Sequence, residues 1–502
     1  MKKINKIIAA ALSLVTVVGA GSCGGGGGRS SGGGNDGNSE QTTTTSATTT
    51  TEAYTVSRDN DEALQEIAEN LNVKEEIDVS KMRKLVFMVP WTEYDQTTAG
   101  HEIFKANYGI PEEGNDEKYD AKYANEIVVV RKTSDSAQYD DLTLAVQSGD
   151  PPDMFDFQLA QFPYTAIKRL FQPIDGIIDM SGSEWDGFRE VSEQIEWQGK
   201  HYCPVTEIYN FYIWYYRKSV MEELGLEDPY ELSKTGEWDW NKLLEYAEVF
   251  KNSTTEEGAG FVANGCWVGE DIHASTGIPF IGIENGALVS NLRSDAHARA
   301  GEFCEQLRSL GYIDSTCQPL DETPWILGKV LFHSNGLWKM QGVFERYAKK
   351  YKWEEGDIGM VFPPKDPKAD SYGMVPRVFG YALVSGSDNI ETYKAFVQCV
   401  LLGNTDPDAK AASREKAKRE EGWTDEQYDF WDLTHDPVNN PSKPVMDYKN
   451  GVDSQGTQGS TGQRPFDVII NDPLFYGNHT YSEWLDTYEN VINSSIAEIS
   501  EE

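Results

Sequence analysis

Lys84-Leu85-Val86-Phe87-Met88-Val89, closed by Pro90-Trp91, decides how the rest of the chain is read. A short, almost wholly apolar run that stops at a proline predicts a buried strand. Ile127-Val128-Val129-Val130 repeats the pattern, the spacing over 140–147 predicts a helix, and a turn follows at Ser148-Gly149-Asp150-Pro151-Pro152-Asp153. Met154-Phe155-Asp156-Phe157 then supplies a third short strand. Strand and helix in alternation, with brief loops, argue for α/β layers with largely parallel strands. Downstream, helices are expected over 240–251, 296–310 and 391–402, and strands at 330–332, 359–362 and 381–384. The polar, aperiodic stretch 404–463 reads as an inserted excursion of helices and loops. No internal repeat is evident.

Upstream of this body the composition changes. Lys2, Lys3 and Lys6 precede an apolar stretch over 7–18, and Ala20-Gly21-Ser22 stands before Cys23. That is the layout of an export signal with a small-residue cleavage site. The apolar stretch is shorter than the roughly 20 residues needed to cross a bilayer. Cysteine directly after the small residues resembles the lipobox of bacterial lipoproteins, which implies a signal over 1–22 and a lipid anchor on Cys23. Residues 23–58 are glycine-, serine- and threonine-rich, with nothing to bury against the entropy of ordering, and predict a flexible tether. Two apparent motifs in the tether, Gly28-Arg29-Ser30-Ser31-Gly32 and the glycines 32, 34 and 37, lack the strand and helix that would make them work. Residues 59–80 form a lead-in, with a short amphipathic helix expected from 61 to 71.

The 502 residues carry a formal charge of −38, with 39% hydrophobic and 12% aromatic residues. Affinity for nucleic acid rests on cationic contacts to phosphate, so that partner is excluded. The material after the tether exceeds one typical domain, and two are expected. Cys203, Cys266, Cys304, Cys317 and Cys399 remain beyond the anchor; Cys304 and Cys317 are close enough in sequence to bridge, but no spacing demands it. No C-x-x-C, H-x-x-x-H or EF-hand loop occurs, so neither a metal nor another cofactor is expected.

Several stretches, in order, resemble family 1 of the extracellular solute-binding proteins, the sugar-binding lipoproteins that feed ATP-binding-cassette importers. Gly149-Asp150-Pro151-Pro152-Asp153 is similar to its Gly-Asp-x-Pro-Asp turn. Gly199-Lys200-His201-Tyr202-Cys203-Pro204 with Trp214-Tyr215-Tyr216-Arg217-Lys218 resembles its Gly-x-x-Tyr-x-(Leu/Val)-Pro … Tyr-Asn-Lys stretch. Leu224-Gly225-Leu226 with Glu237-Trp238-Asp239-Trp240, then Leu327-Gly328-Lys329-Val330 with Asn335-Gly336-Leu337-Trp338, continue the series. Asp357-Ile358-Gly359-Met360 leading to Phe362-Pro363-Pro364-Lys365 completes it. The chain departs from the pattern at Arg217, where asparagine is usual, at Arg377 within a stretch that is typically glycine-rich, and in the length of the later insertion.

The resemblance implies a two-lobed α/β periplasmic-binding-protein fold, type II-like, with the ligand cleft between lobes. Lobe one would span 81–209 and return over 378–402, lobe two would span 210–377, and 403–502 would hold the insertion and a C-terminal part packed on lobe two. It also implies a monomer at the outer face of the cell membrane, with a carbohydrate ligand, permease subunits as partners and no catalysis. Sugars suit a cleft of aromatic faces and a few placed polar groups. The candidates are Trp91, Glu93 and Tyr94 after the first strand, at the carboxyl end where α/β folds bind ligands, and Phe157 and Gln158 after the third. Asn210 and Phe211 stand at the crossover, Arg377 and Phe379 flank the return, and Trp267 and Trp338 are further platforms, Trp338 by its family position. Beside each aromatic stands the alternative that it belongs to the core. Glu93, Asp95 and Glu207 keep open a polyamine site, and a peptide ligand or a sensor partner is also possible. A glycosidase would need two carboxylates about 5 to 9.5 Å apart, which sequence cannot locate.

Overall fold

The apolar run at 85–89 does form a strand, and it sits inside a sheet because it has nothing polar to offer solvent. In the computed structural model β1 (Leu85–Val89) lies between β2 (Val128–Lys132) and β3 (Met154–Asp156), parallel to both. The structure describes residues 66–67, 71, 77–89, 98–108, 128–133, 138–255, 258–265, 267–313, 322–340, 343–421, 423–453 and 464–501. The expected signal, Cys23, the tether and most of the helix over 61–71 lie outside the described residues.

Six further strands complete two sheets: β4 (Val205–Asn210), β5 (Tyr212–Arg217), β6 (Phe261–Asn264), β7 (Val330–Gly336), β8 (Ile358–Val361) and β9 (Pro376–Leu383). The first sheet has the order β2-β1-β3-β9-β4 and the second β8-β5-β7-β6. The expectation of largely parallel strands needs correction. β9 runs antiparallel to both β3 and β4, and β5 runs antiparallel to both β7 and β8. The reason is the crossing: the chain leaves the first sheet along β4, enters the second along β5, and comes back along β9 from the far end. Both sheets are therefore mixed.

Each sheet has its own core. Leu85, Phe87, Phe155 and Ala382 are buried with Phe104 and Phe396 in the first. Trp214, Trp238, Phe250, Phe303 and Phe332 are buried in the second. Helices Ala99–Tyr108 and Ile390–Thr405 cover the first sheet and cross at two glycines. A Cβ on Gly403 would stand 2.4 Å from the Gly100 nitrogen, so only glycine permits that approach. The segment beyond 403 is shared. Thr424 and Gln427 form a capping box that starts helix Asp425–Thr434, whose Tyr428 and Phe430 join the second core. Phe466, Tyr481, Leu485 and Ile492 join the first core, beside Phe280 and Leu288. Cys203, Cys304 and Cys399 are buried free thiols, while Cys266 and Cys317 lie outside the described residues.

Candidate functional site

The site grows from the crossing strands. β4 and β9 pair with Arg377 opposite Tyr209 and Phe379 opposite Glu207. Strand alternation puts these four on one half-buried face, while Ile208, Asn210 and Val378 turn to the buried face. Phe211 marks the step between sheets. Its N–H donates to the Val375 carbonyl at 3.0 Å and its carbonyl accepts from the Leu337 N–H at 3.3 Å. These bonds tie the crossover to the turn that carries Trp338. The Phe211 and Trp338 rings therefore lie 5.0 Å apart, Trp267 meets Trp338 edge-on at 6.3 Å, and Tyr212 stacks on Trp267 at 4.5 Å. Phe211, Trp267 and Trp338 are each half-buried. The strand before Trp267 is held close by Gly265, where a Cβ would stand 2.2 Å from the Ser334 carbonyl oxygen and φ is +123°.

Beside this aromatic group lies a cavity of about 190 Å³, lined among others by Gln158, Phe211, Arg377, Glu270, Asp447 and Lys449. Ligand pockets usually exceed about 300 Å³, so in this conformation the space suits a small polar unit. Both of the cations lining it have carboxylate partners. Arg377 Nη2 reaches Asp156 Oδ2 at 3.1 Å, and its guanidinium lies 4.5 Å from the Phe379 centroid and 5.7 Å from that of Phe211. Burial pushes the Asp156 carboxyl up to about 6, and Arg377 and Gln158 offset only part of that rise. Lys449 Nζ stands 3.5 Å from both Glu270 Oε1 and Asp447 Oδ2. His273 and His297, buried on the same wall, approach through their Nδ1 atoms at 3.1 Å. Burial holds both below the ordinary imidazole range, His297 at about 4.

Several sequence candidates converge here. Gln158, Phe211 and Arg377 line the cavity, Trp267 and Trp338 adjoin it through Tyr212 and Phe211, and Phe379 stands one ring away between Arg377 and Tyr209. Trp91, Glu93 and Tyr94 lie outside the described residues. Two candidates need correction. Phe157 is 0% exposed and packs on Phe162, because its N–H donates to the Gly380 carbonyl and the extended chain turns its side chain to the core, leaving Gln158 to face the cavity. Asn210 is also 0% exposed; its Oδ1 accepts from Asn440 Nδ2 at 2.9 Å, a tie within the protein. Glu270, Asp447 and Lys449 were not singled out in the sequence. Glu270 sits in a short helix, Val268–Ala274, without a motif, and the other two belong to the stretch read as an insertion. Only the apolar pair Val445-Met446 before them, both buried, could have hinted that this stretch folds inward. Among the described residues no cluster of metal-ligating side chains occurs, and no helix is long and apolar enough to cross a membrane.

The family model for bacterial extracellular solute-binding proteins matches residues 116–408. Among solved structures, the GacH receptor of Streptomyces glaucescens, described unliganded and with acarbose, is 14% identical over 82% of this chain and 98% of that one, with a TM-score of 0.55. A cyclo/maltodextrin-binding protein complexed with maltotetraose is 16% identical over 85% and 99%, at 0.55. The galacto-N-biose/lacto-N-biose I-binding protein of an ABC transporter from Bifidobacterium longum is 13% identical over 83% and 97%, at 0.56. Their shared architecture is the two-lobed one described above. No curated protein matches the chain in sequence.

Proposed function

We propose, from the premise that the chain belongs to the bacterial extracellular solute-binding proteins, that it captures a carbohydrate between its lobes and delivers it to an ABC importer. The observation that carries this reading is the group of half-buried aromatics, Phe211, Trp267 and Trp338, beside a cavity rich in hydrogen-bonding side chains. A sugar offers C–H faces to the rings and hydroxyls to the polar wall. Acarbose, maltotetraose and lacto-N-biose, bound by the similar structures, are all oligosaccharides, which supports the same class here. A polyamine is less well served. Of the carboxylates expected for it, Glu93 and Asp95 lie outside the described residues and Glu207 faces His435, with Oε1 3.4 Å from Nε2, instead of lining the cavity; the nearby Asp156 is taken by Arg377. The chain acts as a binding protein without catalysis, at the extracytoplasmic face, held there by a lipid on Cys23.

A thermal-shift screen against mono- and oligosaccharides tests the ligand class. A true ligand at a hundred times its dissociation constant adds about 2.7 kcal/mol of stability; no response to any sugar would defeat the reading. With a ligand in hand, Trp338→Ala should lower affinity roughly thirtyfold, about 2 kcal/mol. The apo melting temperature should change little, since the indole is only half-buried. The opposite result, a loss of about 3 to 5 kcal/mol in stability with unaltered affinity, would make Trp338 a core residue. For the anchor, Cys23→Ala should give a folded protein released from the membrane fraction by a high-salt wash. Retention after the wash would refute lipid attachment at Cys23.

A further inference from the structure

The cavity wall formed by Glu270, Asp447 and Lys449 differs in origin from the rest of the site. Gln158, Phe211, Glu270 and Arg377 lie within the stretch 116–408 that the family model matches, whereas Asp447, Lys449 and Asn450 lie beyond it. The carboxylate of Asp447 accepts the N–H groups of Phe280, Ile281 and Lys449 at 3.1–3.2 Å, so the protein backbone fixes it in place. Lys449 is 8% exposed by side chain, and Glu270 20%. Burial opposes the charge on Lys449, but Asp447 and Glu270 outweigh it and hold the ammonium protonated. The two Lys449–carboxylate separations, 3.5 Å each, exceed the roughly 2.7–2.9 Å of a tight charge-assisted hydrogen bond. Glu270 and Lys449 thus face one cavity with bonding capacity left over, while Asp447, its two oxygens already taken by three N–H groups and the ammonium, holds the lysine in place.

We propose that Glu270, Asp447 and Lys449 form a hydroxyl-reading cluster that makes the site selective for uncharged sugars and excludes acidic ones. The inference rests on the carbohydrate reading above and narrows it. A hydroxyl donates to Glu270 and accepts from Lys449 at once, which fits a wall holding both kinds of group. A carboxylate or sulfate ligand only accepts. It would have to take Lys449 from two half-buried carboxylates or Arg377 from the buried Asp156, and in either case a carboxylate loses its partner. Leaving a buried charge unpaired is strongly unfavourable. Two cations, Arg377 and Lys449, meet three carboxylates, Asp156, Glu270 and Asp447, so among these residues no positive charge is spare for an anion.

The test uses the full chain and matched probes: glucose, galactose, maltose, lactose and maltotriose beside glucuronate, galacturonate and digalacturonate, read by thermal shift and then calorimetry. Stabilisation by at least one neutral sugar, with none by its uronate, is the expected result. Glu270→Gln should then weaken that sugar tenfold or more while the apo melting temperature stays near that of the parent. Lys449→Met, which leaves two carboxylates facing each other, should weaken it further if folded; Glu270→Gln alone decides the matter if it is not. Uronates binding as well as their neutral counterparts would overturn the selectivity while leaving the sugar reading intact. Unaltered neutral-sugar affinity in Glu270→Gln would remove the cluster from the site. Silence from every probe, neutral and acidic, would overturn the carbohydrate reading itself and this inference with it.

Discussion

Arg377→Met is expected to destabilise the apo protein by about 2–3 kcal/mol at pH 7.5, because the Asp156 carboxyl left without its partner in a buried pair must either stay charged or take up a proton well above its folded value of about 6. The side chains of Arg377 and Asp156 are 16% and 4% exposed, so water cannot replace the lost guanidinium easily. The pH dependence identifies the cause. Asp156 titrates near 6 in the folded protein against an ordinary value of 3.8, because burial outweighs its partners. A carboxyl whose folded value is raised favours the fold at low pH, and that contribution is lost as pH rises through the folded value. Without Arg377 the folded value moves higher still, so the penalty should be large at pH 7.5 and small near pH 4.5. Denaturant titrations of the parent and variant at both pH values measure it. An equal loss at the two would assign the damage to the packing of Arg377 over Phe379 and Phe211 instead. Arg377→Lys, which keeps the charge but not the planar fork, should recover only part of the stability.

The legible and the illegible parts of this molecule divide along a physical line. Local signals survived: β1 and β3 start within one residue of the expected runs, and helix Trp240–Ser253 begins where Asp239 caps it, accepting from the Lys242 N–H. The crossover at Phe211 was placed by the family resemblance, whose lobe bounds fall at 209 and 210, and the chain does step from β4 to β5 there. What was lost depends on partners far away in sequence. Whether Phe157 or Gln158 faces the cleft is decided by one hydrogen bond to Gly380, which no local pattern encodes. Strand direction was misjudged because β9 returns from the second lobe, a fact of topology. The wall from Asp447 to Asn450 was missed because polar residues facing a buried cavity look, in sequence, like polar residues facing water.

Asp153→Ala should be about as damaging, at roughly 3 kcal/mol or more, for a reason that has nothing to do with ligand. Asp153 ends the Gly149–Asp153 turn and is 9% exposed. Its Oδ2 accepts from the Val86 N–H at 2.8 Å and from Asn389 Nδ2 at 3.0 Å, and its Oδ1 accepts from Ser387 Oγ at 2.7 Å. Its backbone joins the same neighbours, donating to the Val86 carbonyl at 2.8 Å and accepting from the Val384 N–H at 3.0 Å. One carboxylate therefore fastens β1, β3 and the chain leaving β9, elements that position Gln158 and Arg377 at the cavity and Asp156 behind Arg377. Hydrogen bonds to a charged group contribute about 1.5–3 kcal/mol each, and a donor left without a partner costs about 1–3. Three lost together exceed any gain from relaxation. Asp153→Asn keeps the shape but turns one acceptor into a donor, so it should fall between parent and alanine variant. Since Asp153 does not line the cavity, the folded fraction of either variant should bind sugar with near-parental affinity. A fall in affinity larger than the change in folded population would instead mean that the turn itself holds the cleft residues in register, and that the fold and the site cannot be perturbed separately at this position.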